Sequence, residues 1–296
     1  MAFASAGWSL VKETASNFIE DNALSRGASI AYYTLFSIAP VLLIIVAIAG
    51  LAFGREAAQG AIVGQLSGLM GSQTADTLQQ MLKGADKGSG NVWATMIGIA
   101  TLLLTASGVF GEVQSALNAI WKAKSRSSTV SRLVRARLAS LGLVVTSGFL
   151  LIVSLAVSAA LAALSTFLRA SFPGAELVVG IFDFAFSTAL ITVLFAAIFK
   201  VLPDTAVRWR DALRGALVTT LLFEGGKYLI ALYIGESNIA STFGAAGALI
   251  ILLLWIYYTA QIFLIGAEFT HALASQREKA VQSQSDRPLG QPATAP

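Results

Sequence analysis

Apolar residues gather in six runs of twenty or more, separated by shorter segments that hold most of the charge. The runs are approximately Ala28–Phe53, Val92–Gly111, Ala139–Ala163, Leu177–Val201, Ala212–Ile234 and Gly244–Ala272. At about 1.5 Å per helical residue each is long enough to cross a hydrocarbon core of about 30 Å. The pattern predicts an all-α, polytopic helical membrane protein with six transmembrane helices, its membrane domain spanning residues 28–274.

Ahead of the first run, Trp8, Val11, Ala15, Phe18 and Ile19 recur at helical spacing, with Lys12, Glu13, Ser16, Asn17 and Glu20 between them. Residues 1–27 are therefore expected to form an amphipathic helix in the inner membrane interface. Segment 54–91 is too long for a plain turn, and Ile62, Leu66, Leu69 and Met70, then Leu78, Met81 and Leu82, again repeat at helical spacing. A small helical hairpin capping the outer face is expected there, followed by the flexible linker Gly84–Asn91. From 275 to 296 the chain becomes polar and proline-containing, which predicts a disordered tail.

Composition narrows the class. Of 296 residues, 56% are hydrophobic and 12% charged, against about 45–50% and about 25% in ordinary soluble domains, so a water-soluble globule is excluded. With no cysteine there is no disulfide, thiolate metal site or cysteine nucleophile, and the single histidine, His271, cannot build a zinc cluster. The stretch Met1–Asp21 lacks the apolar core of a cleavable signal peptide, so insertion is expected to rely on the first span.

Charge then orients the chain. Lys122, Lys124, Arg126, Arg132, Arg135 and Arg137 crowd the loop after the second run, and Val113–Ala175 contains no Asp or Glu. Lys200, Arg208, Arg210 and Arg214 follow the fourth run, and Arg277, Lys279 and Arg287 follow the sixth. On the other side Arg55, Lys83 and Lys87 are balanced by Glu56, Asp76 and Asp86. The positive-inside rule places the basic loops and both termini in the cytoplasm. A pI near 9.4 then reflects loops held at an anionic leaflet, with Lys122, Lys124, Arg132, Arg135 and Arg137 as candidate anionic-lipid contacts. Membrane lipids, and not nucleic acid, are the expected partners, because the basic loop lacks interleaved aromatics.

Ionisable groups inside the spans cost about 2.5–3.5 kcal/mol each on insertion scales unless they face protein or water. The chain keeps Glu112, Asp183, Glu224, Lys227 and Glu268 there. Glu224 lies near the middle of the fifth run, within Phe223-Glu-Gly-Gly-Lys-Tyr228, where two glycines let another backbone approach or the helix deform. Lys227 is one turn away on roughly the same face. A cross-helix Asp183–Lys227 pair would leave Glu224 without a cation and suited to proton coupling or cation capture, whereas a Glu224–Lys227 pair would simply hold the bundle together. Glu112 and Glu268 read as inner-end anchors with Arg26 or Arg214 in reach, and His271 as an interfacial hydrogen-bonding residue.

Pro40 removes a backbone hydrogen bond mid-span and is expected to kink the first helix. Tyr32, Tyr33, Thr34 and Ser37 lie inward of it, and Tyr257, Tyr258, Thr259 and Gln261 add polar groups to the sixth run. These groups either line a central cavity or act as interhelical glue, together with small residues such as Gly244–Gly247 and Ser154, Ser158 and Ala162. No phosphate loop, His-Glu-x-x-His or Gly-x-Ser-x-Gly pattern occurs, so no catalytic residue, cofactor or metal is expected.

The stretch Arg26-Gly-Ala-Ser-Ile-Ala-Tyr-Tyr-Thr-Leu-Phe-Ser-Ile-Ala-Pro40 resembles the first-span motif of the YihY/BrkB family of bacterial inner-membrane proteins. Leu202-Pro-Asp204 with Trp209-Arg-Asp-Ala-Leu-Arg-Gly-Ala216 is similar to that family's fourth loop, and Phe243-Gly-Ala-Ala-Gly247 with the stretch Leu254–Thr270 to its closing signature. The resemblance covers about Trp8 to Leu273. It implies a six-helix protein of the bacterial inner membrane and supplies no catalytic residues. The family has carried a ribonuclease label and a virulence, serum-resistance label; the first fits poorly, since metal-dependent RNA hydrolysis needs clustered His and carboxylate ligands in water. The motifs raise Tyr32, Tyr33, Pro40, Glu224, Tyr257, Gln261 and Glu268 as candidates.

Two functional expectations follow. One is a transporter or lipid-handling permease with a cavity between the first, fifth and sixth spans and Glu224 at its centre. The other is a non-transporting envelope scaffold in which Arg132, Arg135 and Arg137 matter more than Glu224.

Overall fold

The computed structural model describes residues 2–70, 75, 79, 108–123, 153, 175–236 and 245–285. All regular structure among them is helical: α1 (Ala2–Glu20), α2 (Ala23–Phe53), α3 (Arg55–Met70), a segment over 108–120, α4 (Ala175–Val201), α5 (Trp209–Glu236) and α6 (Ala245–Ser285). Within the described residues three stretches are long and apolar enough to cross a membrane: Gly180–Val201, Trp209–Ile234 and Leu249–Lys279, of 22, 26 and 31 residues. The third expected span, most of the second, the second arm of the outer cap, and residues Lys124, Arg126, Arg132, Arg135 and Arg137 lie outside the described residues.

Short devices set the helix ends. Asn22 takes a left-handed conformation (φ 53°) between α1 and α2, which its short polar side chain tolerates better than most. Gly54, with φ 83°, separates α2 from α3, a backbone that only glycine adopts freely. The 108–120 segment closes with Ala123 N donating to Asn118 O at 2.9 Å and Lys122 N to Ala119 O at 3.0 Å. That is a Schellman cap in which Lys122, at φ 48°, stands where glycine is usual.

The helix of α2 runs on through Pro40, so the loss of one hydrogen bond does not end it. One expectation on helix continuity changes. α6 continues to Ser285 instead of giving way to disorder at 275, because that added stretch is docked: Arg277 Nη1 donates to Asp211 Oδ2 of α5 at 2.6 Å, and Gln276 Nε2 to Glu13 Oε2 of α1 at 2.8 Å.

α6 is the axis of the described bundle, packing against α1, α2 and α5, while α4 packs on α5 and α3 on α2. One core joins Ala23, Ile30, Leu117, Ile120, Phe199, Leu202, Val207, Ala216, Phe263, Leu264 and Ala267. A second, on α2, α3 and α6, joins Leu42, Val46, Ile62, Leu252 and Ile256, so α3 is anchored through Ile62. On α5, in contrast, Leu217, Leu221, Tyr228, Leu229, Leu232 and Tyr233 stay exposed. An apolar surface of that kind belongs against lipid.

Candidate functional site

Between α2, the 108–120 segment, α4 and α6 lies a partly open cavity of about 360 Å³. Its walls come from α2 (Ile30, Thr34, Ile38), the 108–120 segment (Val109, Phe110, Val113), α4 (Phe195, Ile198) and α6 (Trp255, Ile256, Thr259, Ala260, Phe263), with Leu202 at its edge. The lining is almost wholly apolar. Phe195 and Phe263 of the lining have ring centres 6.2 Å apart, and the fully buried Phe199, 5.2 Å from Phe263, packs behind them. Trp255 is packed edge-on against Phe223 of α5 at 6.1 Å, and its indole nitrogen is buried without a partner among the described residues.

This cavity differs from the expected one. Thr34 and Thr259 of the expected polar set reach it, but α5 and Glu224 do not line it. Glu224 is instead buried in an ion pair with Lys227, three residues along the same helix. The side chains of Asp183 and Pro40 lie outside the described ones. Tyr32 and Tyr33 are exposed, their rings edge to face at 5.7 Å, and Tyr33 also lies against Gly108. Tyr257 packs on the second core, and Gln261 Nε2 donates to Leu24 O at 3.3 Å. Lys122 is exposed at its helix cap. Glu268 is fully buried and meets neither anchor expected for it: Arg26 Nε donates instead to the main-chain oxygen of Asp21 at 2.9 Å, and Arg214 is exposed.

The end of the 108–120 segment is tied to the α4–α5 connection by contacts that the sequence pattern did not reveal. Asn118 and Asp204 clasp each other reciprocally, the Asn118 amide donating to Asp204 Oδ2 at 2.9 Å and the Asp204 main-chain N–H to Asn118 Oδ1 at 2.8 Å. Gln114 adds a third bond at 3.3 Å. Pro203 helps end the helical course before Asp204, and Lys200 Nζ donates to Val207 O across the same turn.

Close packing of α5 on α6 rests on glycine facing threonine. Gly215 lies under Thr270 and Gly266 under Thr219, and any β-carbon at either glycine would overlap the threonine. The threonine hydroxyls are satisfied on their own helices, Thr219 donating to Gly215 O and Thr270 to Gly266 O, both at 2.7 Å. Gly226 meets Tyr258 and Ile262 of α6, whereas the adjacent Gly225 faces open space. α4 is tied to α5 by Thr192 and Thr220, whose hydroxyls are 3.1 Å apart.

α1 is fastened by its polar side. Glu13 accepts hydrogen bonds from Gln276 at 2.8 Å and Lys279 at 3.2 Å, and the Gln276 bond above all holds its carboxyl below the usual carboxylate value. Trp8, Val11 and Ile19 consequently point away from the bundle.

Compared with known proteins, the family described as "Virulence factor BrkB" matches residues 14–289. The chain is 29% identical over 267 residues to a UPF0761 membrane protein of Pseudomonas paraeruginosa, covering 89% of this chain and 62% of that one. It is 30% identical to one of Alcanivorax borkumensis, with 88% and 59% covered, and 29% identical to one of Pseudoalteromonas translucida, with 87% and 83% covered. It thus spans about three fifths of the length of the first two. No solved structure matches.

Proposed function

The chain belongs to the Virulence factor BrkB family of membrane proteins, and on that premise we propose that it is a lipid-handling permease of the bacterial inner membrane, with six spans and both termini in the cytoplasm. The observation that carries this reading is the apolar cavity of about 360 Å³ walled by α2, residues 109–113, α4 and α6, inside the range of about 300–1,000 Å³ common for ligand pockets. An ion or a polar solute finds almost no hydrogen-bonding partner there and would be costly to desolvate. A lipid acyl chain meets no such cost, and since lipid tails are as apolar as the lining, it can enter and leave with little net change in free energy. That balance suits movement better than tight storage.

The α1 row of Trp8, Val11 and Ile19 and the cytoplasmic cations fit an inner leaflet that is anionic. The loop carrying Arg132, Arg135 and Arg137 is the natural contact for lipid head groups.

The test is movement of a fluorescent phospholipid in proteoliposomes of the purified full chain. Wild type is expected to scramble the label, and Ala260→Phe and Val109→Trp, which fill the cavity, to slow it at least several-fold while folded. Leu229→Phe, on the exposed face of α5, should leave the rate unchanged. No lipid movement by folded wild type would overturn the reading. If neutralising Arg132, Arg135 and Arg137 then abolished an envelope phenotype that Ala260→Phe left intact, the scaffold would replace it.

A further inference from the structure

Where α4 connects to α5 and α6 runs on beyond residue 275, the bundle holds a pocket of about 310 Å³ that shares no residue with the apolar cavity. Arg208, Arg277, Glu278, Val281 and Gln282 line it. All but Arg208 come from the α6 extension, so the pocket exists because that extension is helical and docked. The apolar stretches of α4, α5 and α6 end or begin nearby, at Val201, Trp209 and Lys279. The pocket therefore lies at the level of the membrane interface, and the exposed Trp209 beside Arg208 suits that level, where tryptophans gather.

Its two arginines are held differently. Arg277 is fixed from behind, its Nη1 donating to the buried carboxylate of Asp211 at 2.6 Å. Its Nη2 lies 3.8 Å from the exposed Glu278, too far for a hydrogen bond, and so remains available to another acceptor. Arg208 is exposed, and its side chain makes no hydrogen bond or ion pair with the described residues. Close by, Lys200 donates to Val207 O, and Arg210 and Arg214 are exposed. These cations outnumber the acids Asp204, Asp211 and Glu278, of which the first is engaged by Asn118 and the second by Arg277.

Two guanidinium groups on one small pocket, with a buried carboxylate compensating only one of them, favour an anion between them. The exposed Arg277–Glu278 pair is of a kind worth little and yields readily. A guanidinium presents a planar fork of donors that matches phosphate oxygens, and Gln282 adds an amide donor. Glu278 at the rim is an acceptor for hydroxyl groups, which suits a phosphate diester carrying a hydroxylated head group. The positive-inside rule sets this basic end at the cytoplasmic leaflet, whose lipids are anionic.

We propose that this pocket binds the phosphate group of an anionic phospholipid, with Arg208 and Arg277 as its cationic ligands and Gln282 as a further donor. The bound head group bridges the α4–α5 connection and the α6 extension. The site shares with the permease reading only the placement of this end at an anionic leaflet. It is tested by binding and not by lipid movement, so either can fail alone.

The test is native mass spectrometry of the full chain released from detergent, with phosphatidylglycerol and phosphatidylcholine supplied at equal concentration. Wild type is expected to retain one phosphatidylglycerol in clear preference. Arg208→Ala, and Val281→Trp, which fills the pocket without changing its charge, are each expected to cut that retention at least several-fold while melting like wild type. Arg210→Ala removes an exposed cation from the same end that does not line the pocket, and should cost little. Equal retention of the two lipids by wild type, or equal losses from Arg208→Ala and Arg210→Ala, would overturn the site. Stoichiometric binding of inorganic phosphate but not of the lipid would overturn its assignment to a phospholipid.

Discussion

Two ends of the same helix behave differently. Towards its C-terminus, from Gly266 to Lys279, α6 is locked to its neighbours by interlocking glycines and threonines, by the Arg277–Asp211 pair and by the Glu13 bonds. Earlier in the helix, from Trp255 to Phe263, it lines a void. Inside a bilayer apolar surface is satisfied by lipid as well as by protein, so a cavity there costs little as long as a lipid chain fills it. Polar groups have no such substitute and must find partners within the protein. The contrast teaches that this bundle spends its specificity on one end and leaves the apolar middle adaptable.

The largest expected effect comes from prying that end apart. Gly266→Leu or Gly215→Leu would force α5 off α6, with a loss of about 1–3 kcal/mol or more from overpacking, seen as a sharply lowered melting temperature and poor recovery of monodisperse protein. Gly225→Leu, facing open space, should melt like wild type. Equal losses at Gly225 and Gly266 would erase the distinction between the two helix faces.

Next comes the clasp between residues 118 and 204. Asn118→Ala leaves the half-buried Asp204 N–H and one carboxylate oxygen short of partners, at a cost of about 0.5–1.5 kcal/mol. A double-mutant cycle with Asp204→Ala should show the two losses to be strongly non-additive. Additive losses would mean that the clasp does not couple the helices.

The smallest effect concerns α1. The carboxyl of Glu13 is lowered from its ordinary value of 4.5, so the stability it contributes is fully present above that value and fades as pH falls through the lowered one. Glu13 is partly exposed, which holds the contribution to about 0.2–1 kcal/mol. Acidification below the ordinary carboxylate range should release α1, read as faster proteolysis between α1 and α2, and Glu13→Gln should flatten that pH dependence.

The sequence carried the long helices because their apolar runs are unbroken, and the Glu224–Lys227 pair only as one of two alternatives, beside a pairing of Lys227 with Asp183. It did not carry the Asn118–Asp204 clasp, whose members are 86 residues apart, nor the glycine–threonine contacts, which depend on the register of α5 against α6. Gly226 is closely packed, but against the side chains of Tyr258 and Ile262, while Gly225 beside it is idle. The extension of α6 to Ser285 was hidden for a related reason: Gln276, Arg277 and Lys279 look like solvated tail residues until Glu13 and Asp211 are found opposite them. The cavity lay where apolar side chains from four separate segments fail to meet, and no local pattern records that.

The most direct measurement of the central claim is photo-crosslinking in membranes with a phospholipid carrying the reactive group in its acyl chain, mapped by mass spectrometry. The account predicts adducts concentrated on Thr34, Phe110, Trp255 and Thr259, and strongly reduced there in Ala260→Phe. Adducts spread evenly over the exposed α5 residues Leu217, Leu221 and Leu229, with none enriched in the cavity, would contradict it.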